Sequence, residues 1–120
     1  MKTPNPIQIS LRSRSRVLHV EFDDGTAYEL PFEYLRTHSP SAEVQGHGPS
    51  QRVLVTGKQD VTVLRVEPVG QYAVKLVFDD GHDSGLFTWA WLHELGRDKA
   101  QRLADYAARV QAAQKERPGK

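Results

Sequence analysis

The sequence Asp-Asp-Gly occurs twice in this chain, at residues 23–25 and at residues 79–81. Each copy follows an alternating apolar run that ends in phenylalanine, and each leads into an aromatic segment that ends in leucine. Asp-Asp-Gly between two such runs predicts a hairpin, because glycine adopts the positive φ that a tight turn requires. The repeat therefore predicts two related halves, each made of a hairpin and a short helix.

Alternating apolar and polar residues predict further strands. We expect strands at Ile7–Leu11, Val17–Phe22, Arg52–Val55, Val61–Glu67, Tyr72–Phe78 and His82–Phe87. Antiparallel pairing of neighbours in the chain then gives a meander.

Three segments have helical signals. Pro31 suits the first turn of a short helix through Arg36, and Thr88 suits the N-cap of a helix through Leu95 that Gly96 would end. After Asp98, apolar residues recur at helical spacing, and the alanines among them either dock on the sheet or seat a second chain. The predicted fold is α+β: a twisted antiparallel β-sheet built from two related hairpin-helix halves, with a C-terminal helix. Residues 1–114 would form a single domain, and residues 115–120 a disordered tail.

Composition narrows the functional classes. The chain has 120 residues and no cysteine, so it has neither disulfides nor thiolate metal ligands. Its net charge of +1 is too small to create an overall electrostatic field that attracts nucleic acid or anionic membranes. No apolar run approaches the roughly 20 residues that span a bilayer, and the N-terminal residues lack the apolar core of a signal peptide. We therefore expect a cytoplasmic protein.

The segment from His38 to Ser50 has no periodicity and contains two glycines and two prolines. It predicts a loop of about a dozen residues, which is long for a small domain and typical of a functional or disordered segment. The candidate interaction residues in it are Ser39, Ser41, Glu43, Gln45, Gly46, His47 and Gly48.

Three histidines are candidate metal ligands: His38, His47 and His82. Imidazole together with a carboxylate such as Glu43 suits zinc or iron, provided that the loop folds back over the second hairpin. The alternative is that His82 bonds the backbone at a turn exit while the other two organise the loop. Because the sequence lacks a ligand spacing such as H-x-x-x-H, the second interpretation is favoured.

The sequence contains no motif of an enzyme class. The patterns G-x-S-x-G, G-x-x-x-x-G-K-[ST] and G-x-G-x-x-G are all missing, and Asp83 directly follows His82, whereas iron oxygenases use H-x-D. The two Asp-Asp pairs resemble carboxylate dyads, but aspartate is also favoured in turns for its own backbone hydrogen bonds. We predict that the chain is not an enzyme.

Arginine recurs at every second position at Arg12, Arg14 and Arg16. On a strand these side chains would share one face, where they could grip phosphates or protect an exposed sheet edge from aggregation. With a net charge of +1, edge protection is the favoured interpretation and no nucleic-acid partner is expected.

Five segments together resemble the gamma-butyrobetaine hydroxylase-like N-terminal domain family over about residues 10 to 97. They are residues 22–25, 30–36, 39–49, 56–58 and 78–85, with the sequences FDDG, LPFEYLR, SPSAEVQGHGP, TGK and FDDGHDSG. The resemblance implies that this chain corresponds to the small N-terminal domain of gamma-butyrobetaine and trimethyllysine dioxygenases. In those enzymes the domain lies beside the catalytic jelly roll. Related domains are also fused to P-loop ATPases that handle iron–sulfur clusters.

In the dioxygenases this domain binds a structural zinc through three cysteines and one histidine, and it takes part in dimer contacts. Carried over to this chain, the cysteine positions fall on Ser39, Ser41 and Val44, and the histidine falls on His82. Serine is a poor zinc ligand and valine is none, so the resemblance implies that the zinc site does not form here as such. The resemblance does not include the iron-binding catalytic domain of these enzymes, so it does not imply hydroxylase activity.

The sequence thus predicts a non-catalytic, cytosolic binding or adaptor domain that offers the loop and the His82 region to a protein partner. The family resemblance links it to iron or iron–sulfur biology. One alternative is a zinc or iron protein that uses His82 with loop residues, and another is an accessory domain for a separate oxygenase chain. A second copy of the chain is a further candidate partner, whereas nucleic acid and membranes are not expected.

Overall fold

A computed structural model describes residues 3–40 and 55–115. The chain forms two similar blocks, each with three strands followed by a helix, and a long helix comes after the second block. They are β1 (Pro6–Arg12), β2 (Val17–Phe22), β3 (Ala27–Pro31), α1 (Phe32–Thr37), β4 (Val63–Val69), β5 (Ala73–Phe78), β6 (Leu86–Thr88), α2 (Trp89–Arg97) and α3 (Lys99–Lys115).

The six strands form two antiparallel sheets of three strands, ordered β1-β2-β3 and β4-β5-β6. Both sheets have a register shift at the same place, near the start of the first strand: between Pro6 and Gln8 in one, and between Val63 and Arg65 in the other. The two sheets are therefore structural repeats, as the doubled turn predicts.

The two Asp-Asp-Gly turns have the same backbone geometry. Gly25 and Gly81 have φ values of 89° and 91°. Each glycine N–H donates to the carbonyl of the preceding phenylalanine, Phe22 or Phe78, over 3.2 Å in both cases. Glycine is needed here because a side chain rarely adopts this left-handed conformation.

The first aspartate of each turn ties the turn to the residue that precedes the first strand of its sheet. Asp23 N donates to Asn5 O, and Asn5 N donates back to Asp23 Oδ1 over 3.1 Å. In the second half, Asp79 N donates to Thr62 O and Thr62 N donates to Asp79 Oδ1 over 3.0 Å. These bonds support the interpretation of the aspartate pairs as turn residues.

One apolar core joins the two halves, since buried side chains from both sheets and both short helices pack together. Tyr34 and Leu95 connect the halves directly, because the buried Tyr34 hydroxyl donates to the Leu95 carbonyl over 2.7 Å. Burial raises the pKa of Tyr34 to about 12. Among the core residues are Leu18, Val20, Phe22, Leu30, Phe32, Leu35, Leu76, Phe78, Phe87 and Leu92.

The structure confirms the α+β class, the two related halves and the C-terminal helix, with the strands divided between two sheets. The predicted strand from His82 is wrong over its first four residues, since β6 begins at Leu86. His82 lies outside the strand, and its side chain is buried. Of the predicted strand Arg52–Val55, residues 52–54 lie outside the described residues and Val55 is not in a strand.

Thr88 caps α2 as predicted, since its hydroxyl accepts a hydrogen bond from Trp91 N over 3.1 Å. The predicted end at Gly96 is wrong, because the helix continues to Arg97. A Cβ at Gly96 would lie 2.2 Å from ring carbon Cγ of Tyr28, so the glycine permits the helix to approach the sheet. Glycine here serves close packing and does not terminate the helix.

The final helix forms where it was predicted, but docking of its alanines on a sheet is wrong. Ala100, Ala104, Ala107 and Ala108 are all exposed, and no side chain from Lys99 to Ala113 is fully buried. The helix is held by longer side chains, because alanine buries too little apolar area to anchor it. The alternative use of this face, a second chain, stays a prediction, and residues 116–120 lie outside the described part.

The three arginines do not share a strand face. β1 ends at Arg12, and Arg16 lies in the following turn with a φ of 59°. Arg16 donates to Val61 O over 2.5 Å and stacks over Phe32, so it ties the first half to the second. Across residues 3–40 and 55–115, no helix is long and apolar enough to cross a membrane.

Candidate functional site

The end of α1 meets the second hairpin at a buried hydrogen bond between Ser39 and His82. Ser39 Oγ lies 2.9 Å from His82 Nε2. Ser39 is fully buried and His82 is 5% exposed. We call Ser39, His82 and Gly85 the His82 corner. It joins two residues that are 43 positions apart in the chain.

Gly85 makes room for Ser39 in this corner. A Cβ on Gly85 would lie 2.2 Å from Ser39 Oγ and 3.4 Å from Pro40 Cδ. No side-chain carbon tolerates the shorter distance, so a larger residue at 85 would displace Ser39. The serine hydroxyl thus occupies the space that the glycine leaves.

The turn before His82 fixes the position of this histidine. His82 N donates to Asp80 Oδ1 over 3.1 Å, and its ring contacts Phe78 at 5.8 Å between centroids. The other oxygen of Asp80 accepts from Arg36 Nε over 2.9 Å and from Lys58 Nζ over 2.6 Å. Two cations therefore clamp the turn against α1 and against the segment before β4.

This clamp changes the acidity of Asp80. Partial burial raises the pKa of the Asp80 carboxyl, but hydrogen bonds from Lys58, from the His82 backbone N–H and from Arg36 outweigh that effect. The resulting pKa is about 2, well below the ordinary value of 3.8. Asp80 is a structural anion over the whole physiological range.

His38, the residue before Ser39, contacts a different set of groups. Its Nδ1 lies 3.1 Å from Tyr34 O and 3.0 Å from Thr37 Oγ1. Its ring packs against Tyr34 and Tyr106, at 4.7 and 6.1 Å between centroids. Its carbonyl accepts from Trp91 Nε1 over 2.9 Å. His38 thereby joins α1 to both later helices.

The structure thus brings together two of the residues that the sequence singles out, Ser39 and His82. Another candidate ligand, His38, packs against aromatic side chains. Within residues 3–40 and 55–115, no group of three His, Cys, Asp or Glu side chains is arranged to hold a metal. The remaining candidates lie outside the described residues: Ser41, Glu43, Val44, Gln45, Gly46, His47 and Gly48.

Two histidines that the sequence interpretation passed over also have defined partners. His93 Nε2 lies 3.0 Å from Asp24 Oδ2, and its ring meets Phe22 and Tyr28 edge to face. This contact ties the first turn to α2. Nothing in the local sequence indicates it, because the partners are 69 positions apart.

His19 lies on β2 with glutamates on two sides. Its Nε2 is 2.9 Å from Glu21 Oε2 and its Nδ1 is 3.6 Å from Glu29 Oε2. The period of two in the strand places Glu21 on the same face, and antiparallel pairing places Glu29 directly opposite. The alternation of the sequence was a usable signal for this cluster.

The model of the family "gamma-butyrobetaine hydroxylase-like, N-terminal" matches residues 9–93. The chain belongs to this family. The match spans both structural repeats and the His82 corner, and it ends within α2. Among curated proteins, none matches this chain significantly.

Three solved structures are similar to this chain. A solution structure determined by NMR is 52% identical, covers 93% of this chain and 88% of its own, and has a TM-score of 0.81. A second NMR structure is 47% identical, covers 94% and 84%, and has a TM-score of 0.82. A crystal structure from Acidithiobacillus ferrooxidans, of a DUF971 family protein of unknown function, is 42% identical, covers 77% and 92%, and has a TM-score of 0.63.

Proposed function

We propose that this chain is a non-catalytic, cytosolic protein-binding domain whose contact surface is the segment 41–48, with the buried His82 corner as its base. The observation that carries the proposal is the buried hydrogen bond between Ser39 and His82. It fixes Ser39, two residues before the segment in the chain, against the second half of the domain.

The buried position of this bond supports the proposal. A hydrogen bond between buried neutral groups contributes about 1 kcal/mol to stability, and losing one partner costs more than an exposed contact would. The corner is therefore a rigid base, and Asp80, Arg36 and Lys58 reinforce it from the side of the turn. Rigid scaffolds that present a loop are a common arrangement for recognition.

The chemistry of the corner also favours binding over catalysis. His82 contacts a serine hydroxyl, but this serine is fully buried. A nucleophile must reach its substrate, so a Ser-His pair with no exposed oxygen lacks the access that acyl transfer requires. The link to iron or iron–sulfur proteins, and the role as accessory to a separate oxygenase chain, rest on the family resemblance alone.

A capture experiment tests the proposal. Tagged natural chain and the variant E43A/Q45A/H47A are compared as baits, with D60A/Q71A as the control that removes one carboxylate and one amide at exposed positions elsewhere. We expect the loop variant to lose the partners that the natural chain and the control both retain. Equal recovery by all three baits would overturn the proposal.

A metal-binding role is the second candidate, and one distance favours it. Zinc lies at about 2.0–2.1 Å from a histidine nitrogen and about 2.3 Å from a cysteine sulfur, so two ligands of one tetrahedral ion are close neighbours. The family resemblance matches positions 39 and 82 with two zinc ligands, and Ser39 Oγ lies 2.9 Å from His82 Nε2 in this chain. This proximity supports the second candidate, whereas the serine side chain does not favour zinc.

Titration with zinc or ferrous iron separates the two candidates. The NMR signals of the His82 ring are followed in the natural chain and in the variant S39C/S41C/V44C, which restores the three cysteines of the family. We expect stoichiometric zinc uptake and a shift of the His82 signals only in the cysteine variant. Stoichiometric uptake by the natural chain, with a shift at His82, would establish the metal-binding role.

A further inference from the structure

The C-terminal helix has a net positive charge, unlike the rest of the chain. Along α3 the four basic residues Lys99, Arg102, Arg109 and Lys115 are opposed by one acidic residue, Asp105. The whole chain has a net charge of only +1, so the remainder is net acidic. A charge asymmetry of this kind steers an oppositely charged partner to one end of a molecule.

A groove runs between this helix and His38. Its volume is about 380 Å³, and it is lined by His38, Arg102, Asp105, Tyr106, Ala108 and Arg109. One lining residue, His38, directly precedes Ser39 of the His82 corner in the chain. The groove is therefore connected to the corner through two consecutive residues.

The two arginines of the groove differ in the contacts that they make. Arg102 pairs with Glu94 and stacks over Trp91 at 4.9 Å from the ring centroid, but its Nε is buried without a hydrogen-bond partner. Arg109 is exposed and makes no ion pair with any of the described residues. Asp105 accepts a hydrogen bond from Gln101 over 3.0 Å. One groove cation is thus unpaired, and a second has an unused donor.

We infer that the groove binds an acidic segment of a protein partner, with a carboxylate on Arg109 and an apolar side chain against Tyr106 and Ala108. This inference rests on the proposed function, because it names the chemistry of the same partner. Guanidinium groups bind carboxylates through paired hydrogen bonds, and the exposed Arg109 forms no ion pair with a carboxylate of residues 3–40 or 55–115.

A peptide fits this groove better than a nucleic acid does. A nucleic-acid backbone is bound through several phosphate contacts, and here only Arg102 and Arg109 are cationic among the described residues of the groove lining, with Asp105 between them on the helix. The lining also includes apolar and aromatic surface at Ala108 and Tyr106, which suits a side chain of a peptide. Acidic peptide is therefore the occupant that the charges and the lining favour together.

The test uses a short fluorescein-labelled peptide in which glutamates alternate with leucine and phenylalanine, and a matched peptide with glutamine in place of glutamate. Binding to the full chain is measured by anisotropy at low and high salt. The variant R109E reverses the groove charge, and R14E makes the same change in net charge in the exposed β1–β2 turn, outside the groove. Circular dichroism checks that the helix content of both variants is retained.

We expect R109E to weaken binding of the acidic peptide about tenfold and R14E to change it less than twofold. The glutamine peptide should bind more weakly than the acidic one, and added salt should reduce the difference. Equal losses in both variants, or equal binding of both peptides, would overturn the inference. Tighter binding of a single-stranded oligonucleotide that R109E abolishes would also overturn it, in favour of nucleic acid.

The result can be separated from that of the capture experiment. If R109E loses the peptide while the E43A/Q45A/H47A variant still recovers every partner, the groove inference holds and the proposed function fails. If the loop variant loses its partners while R109E binds the peptide normally, the groove inference fails alone.

Discussion

The two Asp-Asp-Gly turns share a sequence and a backbone conformation but differ in their surroundings. In the first, Asp24 Oδ1 accepts from Thr26 N, and the other oxygen meets His93 on α2. In the second, Asp80 Oδ1 accepts from His82 N in the same way, and its other oxygen meets two cations. The two turns thus share their backbone conformation, whereas the side chains around them give each turn a different set of contacts.

The difference extends to the residue after each turn. In the first copy this residue is Thr26, which bonds Asp24 through its hydroxyl over 2.6 Å. In the second copy it is His82, whose ring turns inward to meet Ser39. One position of the repeat thereby became a local cap in one half and a long-range contact in the other.

The largest predicted effect concerns the two second aspartates. The substitution Asp80→Ala removes the acceptor shared by Arg36, Lys58 and the His82 N–H, and it should lower the free energy of unfolding by about 2–3 kcal/mol. The matched variant Asp24→Ala should lose less, because its side chain is 34% exposed against 21% for Asp80 and it meets one histidine in place of two cations. Urea denaturation of both variants measures the difference, and equal losses would contradict the contrast between the turns.

A second prediction compares two glycines that are required for different reasons. Gly85→Ala places a Cβ against Ser39 and should cost about 2 kcal/mol, with a change in the NMR signals of the His82 ring. Gly25→Ala meets no atom within 4 Å and should cost about 1 kcal/mol through its positive φ. It should leave the His82 signals unchanged, which is the control for the first variant. Unchanged His82 ring signals in Gly85→Ala would contradict the close contact of Gly85 with Ser39.

The acid sensitivity of the second turn gives a third prediction. Since the pKa of Asp80 is lower in the folded chain than its ordinary value of 3.8, its stabilising contribution is complete above that value. The contribution is lost as the pH falls towards the folded pKa of about 2, and should amount to about 1–2 kcal/mol after allowance for solvent screening. Between these pH values, the free energy of unfolding should change less with pH for Asp80→Asn than for the natural chain. A slope unchanged by Asp80→Asn would show that other carboxyls cause the acid sensitivity.

The smallest effect is expected for the Ser39–His82 bond by itself. Ser39→Ala should destabilise the fold by about 1 kcal/mol, the usual net contribution of one buried hydrogen bond. Thr26→Ala, which removes the corresponding local bond in the first half, should have a smaller effect because Thr26 is closer to solvent. A larger loss at Thr26 would reverse the proposed ranking of the two halves.

The strands and turns were predictable because their signals are local. Alternation located β2 to the residue, the glycine φ requirement located both turns, and the Thr88 hydroxyl marked the start of α2. The resemblance to the family also placed position 39 and His82 in one site before any contact was known. The predicted helix end at Gly96 was wrong, because that glycine makes room for Tyr28, which lies on a strand far away in the sequence.

The sequence by itself determined the repeat, the class of fold and the family, since each depends on short-range periodicity and on motifs that are contiguous in the chain. Only the tertiary structure decided which residues meet. His82 with Ser39, Asp80 with Arg36, and His93 with Asp24 are each more than 40 positions apart, and their contacts follow from how the two halves pack around one core. The same packing leaves the alanines of α3 exposed and opens the groove beside His38, because Arg102 and Tyr106 attach the helix and the small side chains do not.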